Sequence, residues 1–179
     1  MASNAAPGLI ARIKPLKLMA FDVDGILTDG RLYYANDGAE FKSFHTQDGQ
    51  GIRLLRDAGL KIALITARRS ELVERRGREL GVHFCLQGIH AKKQAFGDVL
   101  DELNLEPEQA GYMGDDLLDL PVLTRAGFAA TVPTAPAEVR ARSHYISHQQ
   151  GGGGAVREVC ELILRGQGSY DRLIAEYLK

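Results

Sequence analysis

The sequence predicts an α/β fold with a parallel sheet wrapped by helices on both faces, and three observations carry that expectation. Short apolar runs of strand length alternate with segments of helical spacing, the pattern of βαβ units. Asp22, Asp24, Thr66 and Asp115 fall at the ends of such runs, where open α/β sheets place their chemistry. The chain has 179 residues, 45% hydrophobic and 25% charged, which suits one domain (residues 1–179) with a sizeable core.

Residues 1–15 are small and mixed, with Pro7-Gly8 as punctuation, and read as a loose lead-in. Leu18 to Phe21 is an apolar run that ends by delivering Asp22 and Asp24. In an extended strand these two would leave on the same face, because side chains alternate with period two. Residues 31–44 carry Asn36-Asp37-Gly38 between two β-rich runs, a hairpin signal. A lone hairpin is marginal in water, so its Leu32, Tyr33, Tyr34, Phe41 and Phe44 are expected to pack on their own domain or on another copy.

Alternation of helix and strand then begins. Asp48 is placed to cap a helix that Gly59 ends, and Lys61 to Ile65 is a buried strand closing at Thr66. Ser70 is the expected N-cap of a second helix that stops at Gly81, and Val82 to Leu86 is the third strand. A helix after Lys92 carries Phe96, Val99, Leu100 and Leu103 and breaks before Pro107; Ala110 to Met113 is the strand that delivers Gly114-Asp115-Asp116. Short helices near 121–125 and 136–142 and strands at 128–132 and 144–146 follow. The run Gly151 to Gly154 reads as a flexible joint before an amphipathic helix, and Ser169 as the cap of a last one, so that 151–179 is a joint with C-terminal helices.

Two carboxylates as close as Asp22 and Asp24 repel each other unless a cation lies between them. Asp115 adds a third, and an all-oxygen ligand set suits Mg²⁺ better than zinc. A net charge of -1 with no basic block gives no footprint for nucleic acid. No apolar stretch reaches the length of a membrane span, the first fifteen residues lack a secretory h-region, and Cys85 and Cys160 read as buried thiols; these features point to the cytoplasm.

Asp22-Val23-Asp24-Gly25-Ile26-Leu27-Thr28-Asp29-Gly30, then Ile65-Thr66-Ala67-Arg68, Lys92 and Gly114-Asp115-Asp116-Leu117-Leu118-Asp119 resemble, in order and spacing, the four motifs of the haloacid dehalogenase-like phosphohydrolases. The early hairpin and the lack of a long insertion resemble the capless branch of that family. The resemblance implies a Rossmann-like sheet with a hairpin flap after its first strand, no large cap domain, and a Mg²⁺-dependent phosphatase working through an aspartyl-phosphate. By the same resemblance, Asp22 is the nucleophile, Asp24 the general acid and base, and Thr66 and Lys92 clamp the phosphoryl oxygens. Asp22, the Asp24 main-chain carbonyl and Asp115 are the implied metal ligands. His45, Thr46, Gln47, Asp48, Gly49, Arg53, Arg68 and Arg76, with Asp24 and Lys92, are the implied substrate contacts.

The implied substrate is 3-deoxy-D-manno-octulosonate 8-phosphate, with a nine-carbon sialic-type 9-phosphate as the rival; Arg68 favours the eight-carbon acid. The implied assembly is a homotetramer in which a neighbouring copy covers each site. Plainer readings stand beside these: Thr66 as a β-branched strand end, Lys92 as a charge at a helix start, and the arginines as solvated side chains, while Asp116 and Asp119 read either as acids that hold the lysine or the metal water or as charges on a helix amino end. At the level of the whole chain, a receiver-like or catalytically silent binding domain is the alternative, and the Asp22/Asp24 pair argues against the receiver.

Overall fold

The structure, a computed structural model, describes residues 7–179. Helix α1 (Pro7–Ile13) leads into β1 (Leu18–Phe21), and a hairpin follows with strands β2 (Tyr33–Tyr34) and β3 (Glu40–Phe41). Then come α2 (Thr46–Asp57), β4 (Lys61–Thr66), α3 (Glu71–Leu80), β5 (Phe84–Gln87), α4 (Lys92–Leu103) and β6 (Ala110–Met113). The chain closes with α5 (Leu120–Leu123), β7 (Phe128–Thr131), α6 (Ala137–Arg140), β8 (Tyr145–Ile146), α7 (Ala155–Gly166) and α8 (Tyr170–Glu176).

Six strands form one parallel sheet in the order β5-β4-β1-β6-β7-β8, and β2 and β3 pair antiparallel outside it. Strands β1, β6 and β7 are buried along their whole length, because helices cover both faces; that is why they read as unbroken apolar runs rather than alternating ones. The chain winds outward from β1 through β4 to β5, then returns to β6 and winds the other way. The reversal opens a crevice between the carboxyl ends of β1 and β6. Phe21 is in register with Leu64 of β4 and Met113 of β6, so the residues after β1 and β6 emerge side by side. No insertion large enough to form a cap separates these elements.

Both edges of the sheet begin with the same device. His83, just before β5, donates its backbone N–H to the Ile62 carbonyl while its Nδ1 accepts the Ile62 N–H at 3.2 Å. His144, just before β8, does the same with Ala129, at 2.9 Å for the ring. Burial, with nearby cations, holds both imidazoles below their ordinary pKa, which keeps Nδ1 free to accept.

Several sequence expectations need correction. Of the expected loose lead-in, residues 1–6 lie outside the described residues; the rest is helical from Pro7, which suits a first helical turn, and Ile13 is buried while the Gln167 side chain holds the carbonyls of Ile13 and Leu16. The hairpin exists but pairs over two residues per strand, and Tyr33, Tyr34 and Phe41 stay exposed; Phe44 packs against the core. Helix α2 starts at Thr46, and Asp48 does not cap it. Ser70 and Ser169 hold the N-cap positions of α3 and α8 without a side-chain cap bond. Cys160 is buried as expected, Cys85 partly so, and both are free.

The largest correction concerns Gly151 to Gly154, which is a packed turn rather than a joint. A Cβ on Gly151 would lie 1.7 Å from the Gly25 carbonyl oxygen, and one on Gly152 would lie 2.5 Å from the Asp29 nitrogen. Gly152 also donates its N–H to the Ile26 carbonyl at 3.0 Å. Gly151 and Gly152 are there because backbone meets backbone, against the turn that carries Asp24.

Candidate active site

Asp22 follows β1 directly, its N–H bonded to the Met113 carbonyl of β6 at 2.9 Å. The strand ends at Phe21, so Asp24 is not delivered by strand alternation; it sits in a turn through residues 23–28. Buried Thr28 ties that turn together, its Oγ1 accepting from the backbone N–H of Gly25 and of Gly30 at 3.3 and 3.2 Å. Asp22 and Asp24 both line one cavity of about 320 Å³, together with Thr66, Arg68, Lys92, Asp115, Asp116 and Asp119.

The deep wall of this cavity is organised by Asp119, which is fully buried. Its Oδ1 accepts from Lys92 Nζ and from the Tyr112 hydroxyl, each at 2.7 Å; its Oδ2 accepts the N–H of Asp115 and of Asp116, each at 3.0 Å. Lys92 Nζ also lies 2.9 Å from Asp22 Oδ1, so one ammonium bridges the two acids. Asp116 turns outward and caps the turn at Leu117, accepting its N–H at 2.7 Å. The sequence leaves Asp119 between an acid that holds the lysine or the metal water and a plain charge on a helix amino end; the structure shows it holding Lys92. In the sequence Tyr112 reads only as part of a strand.

Asp22, Asp115 and Asp119 offer carboxylate oxygens within 4.8 Å of one another. Burial, then the Asp119 charge, push Asp22 up to about 7 against the pull of Lys92. Burial, then Asp22 and Asp119, push Asp115 up to about 7 as well. Burial also works against the Lys92 ammonium, but Asp22 and Asp119 outweigh it and hold its pKa above the ordinary value. One ammonium does not neutralise three carboxylates, and Asp115 Oδ1 is buried without any hydrogen-bond partner. That orphaned oxygen among crowded acids fits a hard divalent cation.

The outer wall is different. Lys42 Nζ of the hairpin donates to Asp24 Oδ1, and Arg68 Nε stands 3.9 Å from Asp24 Oδ2. Glu40 joins the two cations, at 3.1 Å from Arg68 and 3.7 Å from Lys42, and Arg68 also donates to the Tyr34 hydroxyl at 3.1 Å.

Of the ten expected substrate contacts, Asp24, Arg68 and Lys92 line this cavity and the other seven do not. Thr46 and Arg76 line a second cavity of about 290 Å³ with Lys42, Phe44 and Arg75. Gln47 faces a third near the start of α7, and Arg53 bonds the Glu79 carbonyl. Gly49 backs onto the Arg76 guanidinium, which would have to move aside for a Cβ. His45 precedes α2 with its Nδ1 buried and unpaired. Asp48 is buried and serves α7, accepting the N–H of Gly154 at 3.2 Å and of Arg157 at 2.8 Å. It satisfies the orphan donors at that helix start.

A family model described as haloacid dehalogenase-like hydrolase matches residues 41–127. The chain is 42% identical to the 3-deoxy-D-manno-octulosonate 8-phosphate phosphatase of Escherichia coli strain K12 over 91% of its length and 87% of the relative's. It is 41% identical to the same-named enzyme of Salmonella typhimurium, over 93% of this chain and 88% of that one. Among solved structures, the Moraxella catarrhalis phosphatase of that name, in complex with magnesium, phosphate and KDO, superposes with a TM-score of 0.93 at 44% identity, covering 94% of this chain and 97% of that one. The cobalt-bound enzyme of Haemophilus influenzae gives a TM-score of 0.85 at 37% identity, covering 88% and 92%. With the fold, the four motifs in place and this identity over nearly the whole length, the chain belongs to the haloacid dehalogenase-like hydrolases and is a phosphoric monoester hydrolase.

Proposed function

We propose that the protein hydrolyses 3-deoxy-D-manno-octulosonate 8-phosphate to the free sugar acid and phosphate, through an aspartyl-phosphate on Asp22. The observation that carries this reading is the bridge of Lys92 between Asp22 and buried Asp119, in a cluster whose third carboxylate carries an orphaned oxygen. The relatives named for that substrate supply its identity.

Lys92 holds Asp22 Oδ1, which leaves the second oxygen to attack phosphorus. As the Asp22 O–P bond forms, the bond from phosphorus to the sugar oxygen breaks and Asp24 gives that oxygen its proton. Water then attacks phosphorus, Asp24 takes its proton back, and Asp22 leaves as a free carboxylate with inorganic phosphate released. The Lys92 ammonium and the Thr66 hydroxyl stabilise the charge that builds on the phosphoryl oxygens. Mg²⁺ would be held by Asp22, Asp115 and the Asp24 main-chain carbonyl, where it offsets the repulsion between a carboxylate and a phosphate dianion. Asp119, which anchors Lys92, completes the acidic cluster.

Seven expected substrate contacts lie outside this cavity, and Thr46, Gln47 and Arg53 among them are exposed. With the exposed aromatics of the hairpin, this supports a homotetramer in which the hairpins meet and a neighbour contributes to each site. Two free cysteines, and no helix among the described residues long and apolar enough to cross a membrane, are consistent with a cytoplasmic enzyme. We take residues 1–179 as a single domain.

Phosphate release from the eight-carbon 8-phosphate and from a nine-carbon 9-phosphate, each with and without Mg²⁺, tests the reading. A higher kcat/KM for the eight-carbon acid and loss of turnover with chelator are expected. Preference for the nine-carbon acid would overturn the substrate assignment, and turnover that survives chelation would overturn the metal.

A further inference from the structure

We propose that Lys42, brought in by the hairpin of the same chain, is a positioning residue for Asp24: it fastens Asp24 Oδ1 and thereby aims Oδ2 at the leaving oxygen. This rests on the reading of Asp24 as general acid.

Lysine is rarely buried unless it is paired, because its ammonium is costly to strip of water. The Lys42 side chain is 2% exposed, matched by the 3% of Lys92 on the deep wall. Lys42 lines the cavity of Thr46, Arg75 and Arg76, and its Nζ donates to Oδ1 of Asp24, which lines the active-site cavity. The second ammonium neighbour, Glu40 Oε1, is 3.7 Å away, beyond a good hydrogen bond, so Asp24 is the partner that justifies the burial.

The consequence for Asp24 is geometric. Asp24 sits in a turn rather than a strand, so the sheet does not fix the rotation of its carboxyl group. Arg68 Nε approaches Oδ2 at 3.9 Å, too far to hold it, and that nitrogen is itself buried without a partner. With Oδ1 fastened and Oδ2 free, the carboxyl group presents one defined oxygen to the cavity, and a proton shared with the leaving group sits at that atom. A misplacement of about 1 Å is enough to cost such a group much of its effect. The hairpin is therefore part of the acid–base machinery of its own chain through Lys42, in addition to whatever its aromatic face meets.

The test compares leaving groups in the full-length enzyme with Mg²⁺. The alkyl substrate 3-deoxy-D-manno-octulosonate 8-phosphate needs a proton on its leaving oxygen, whereas p-nitrophenyl phosphate does not. The readout is kcat/KM, which reports the phosphoryl transfer that includes that proton. Asp24→Asn calibrates the assay and should lower kcat/KM about 10²-fold or more on the alkyl ester and far less on the aryl ester. Lys42→Met, which keeps the stem, should show the same selectivity, with a loss of about 10-fold or more on the alkyl ester. Lys42→Arg should recover most of that loss. A Lys42→Met variant that loses both activities equally, measured beside a soluble Lys42→Gln that does the same, would overturn the proposal while Asp24→Asn remains selective. Absence of selectivity in Asp24→Asn would instead overturn the reading of Asp24 as the acid.

Discussion

The two walls of the active-site cavity are built in opposite ways. Asp22, Lys92, Asp115 and Asp119 stand on strand ends or helix starts, nearly all buried, and Asp119 is gripped by two backbone N–H groups and two side-chain donors. Asp24, Arg68, Glu40 and Lys42 belong to a turn, a loop and a hairpin, joined by ion pairs in which Arg68 is 38% exposed. Sheet register fixes the first wall, and its hydrogen bonds work in a low dielectric. Apart from Lys42, the second is held by partly solvated pairs worth about 0–1 kcal/mol each. The comparison teaches a division of labour: in the proposed mechanism the nucleophile and its charge partners are on the rigid wall, while the acid, Asp24, is on a wall able to shift except where Lys42 holds it.

The largest effect should come from the deep wall. Asp22→Asn is expected to lower turnover about 10⁴-fold or more, as loss of a nucleophile does. The same change should raise thermal stability in chelator at pH 8. Asp22 has its pKa raised from 3.8 to about 7 in the fold, so the stability it contributes is fully present below the unfolded value and is lost as pH rises through the folded one. The variant should therefore gain on the wild type between pH 4 and pH 8 by roughly the cost of the raised pKa in the handicapped wild type. Added Mg²⁺ should raise the melting temperature of the wild type more than that of Asp22→Asn. Equal melting curves at both pH values would mean that the acidic cluster is not strained.

Next is Asp119→Asn, which turns an acceptor of four hydrogen bonds into a group that presents an amide to buried donors. A loss of about 3–5 kcal/mol in denaturant unfolding is expected, as for a broken buried ion pair, together with a fall in kcat of about 10²-fold. Gly151→Ala follows. Its Cβ would collide with the Gly25 carbonyl, so the turn carrying Asp24 must shift, at a cost of about 1–3 kcal/mol and about 10-fold in kcat/KM. Retained stability and activity in Gly151→Ala would restore the flexible-joint view of the glycine run.

The same division decides what was legible in the sequence. Two residues of the rigid wall could be read because they come just after apolar runs: Phe21 precedes Asp22, and Met113 precedes Gly114-Asp115. Local patterning placed those strands, and register did the rest. Asp119 was less visible because its importance comes from Tyr112 and Lys92 converging on it, and Lys92 lies 27 residues away. Asp48 misled for a related reason: it occupies a helix start and has the right side chain for a cap, but the helix it serves is α7, 109 residues on at Arg157. The glycine run misled because glycine marks both flexibility and close packing, and only the position of the Gly25 backbone separates the two. Lys42 carried no local signal at all, since a lysine in a hairpin strand is ordinarily a solvated charge.

The smallest effect tests the soft wall most directly. Tyr34→Phe removes the hydroxyl that accepts from Arg68 at 3.1 Å, and Tyr34 is itself exposed. If the outer wall is held by several weak, solvated contacts, deleting one of them should change folding stability by no more than about 0.5 kcal/mol. The Arg68 guanidinium keeps Glu40, so it should stay near Asp24 but with more freedom about its stem. The kinetic consequence should then be a change in KM for the sugar acid phosphate of about 3-fold or less, with kcat for p-nitrophenyl phosphate unaltered. A loss above about 1 kcal/mol, or a tenfold fall in kcat on both substrates, would show that the hairpin wall is as firmly built as the strand-end wall.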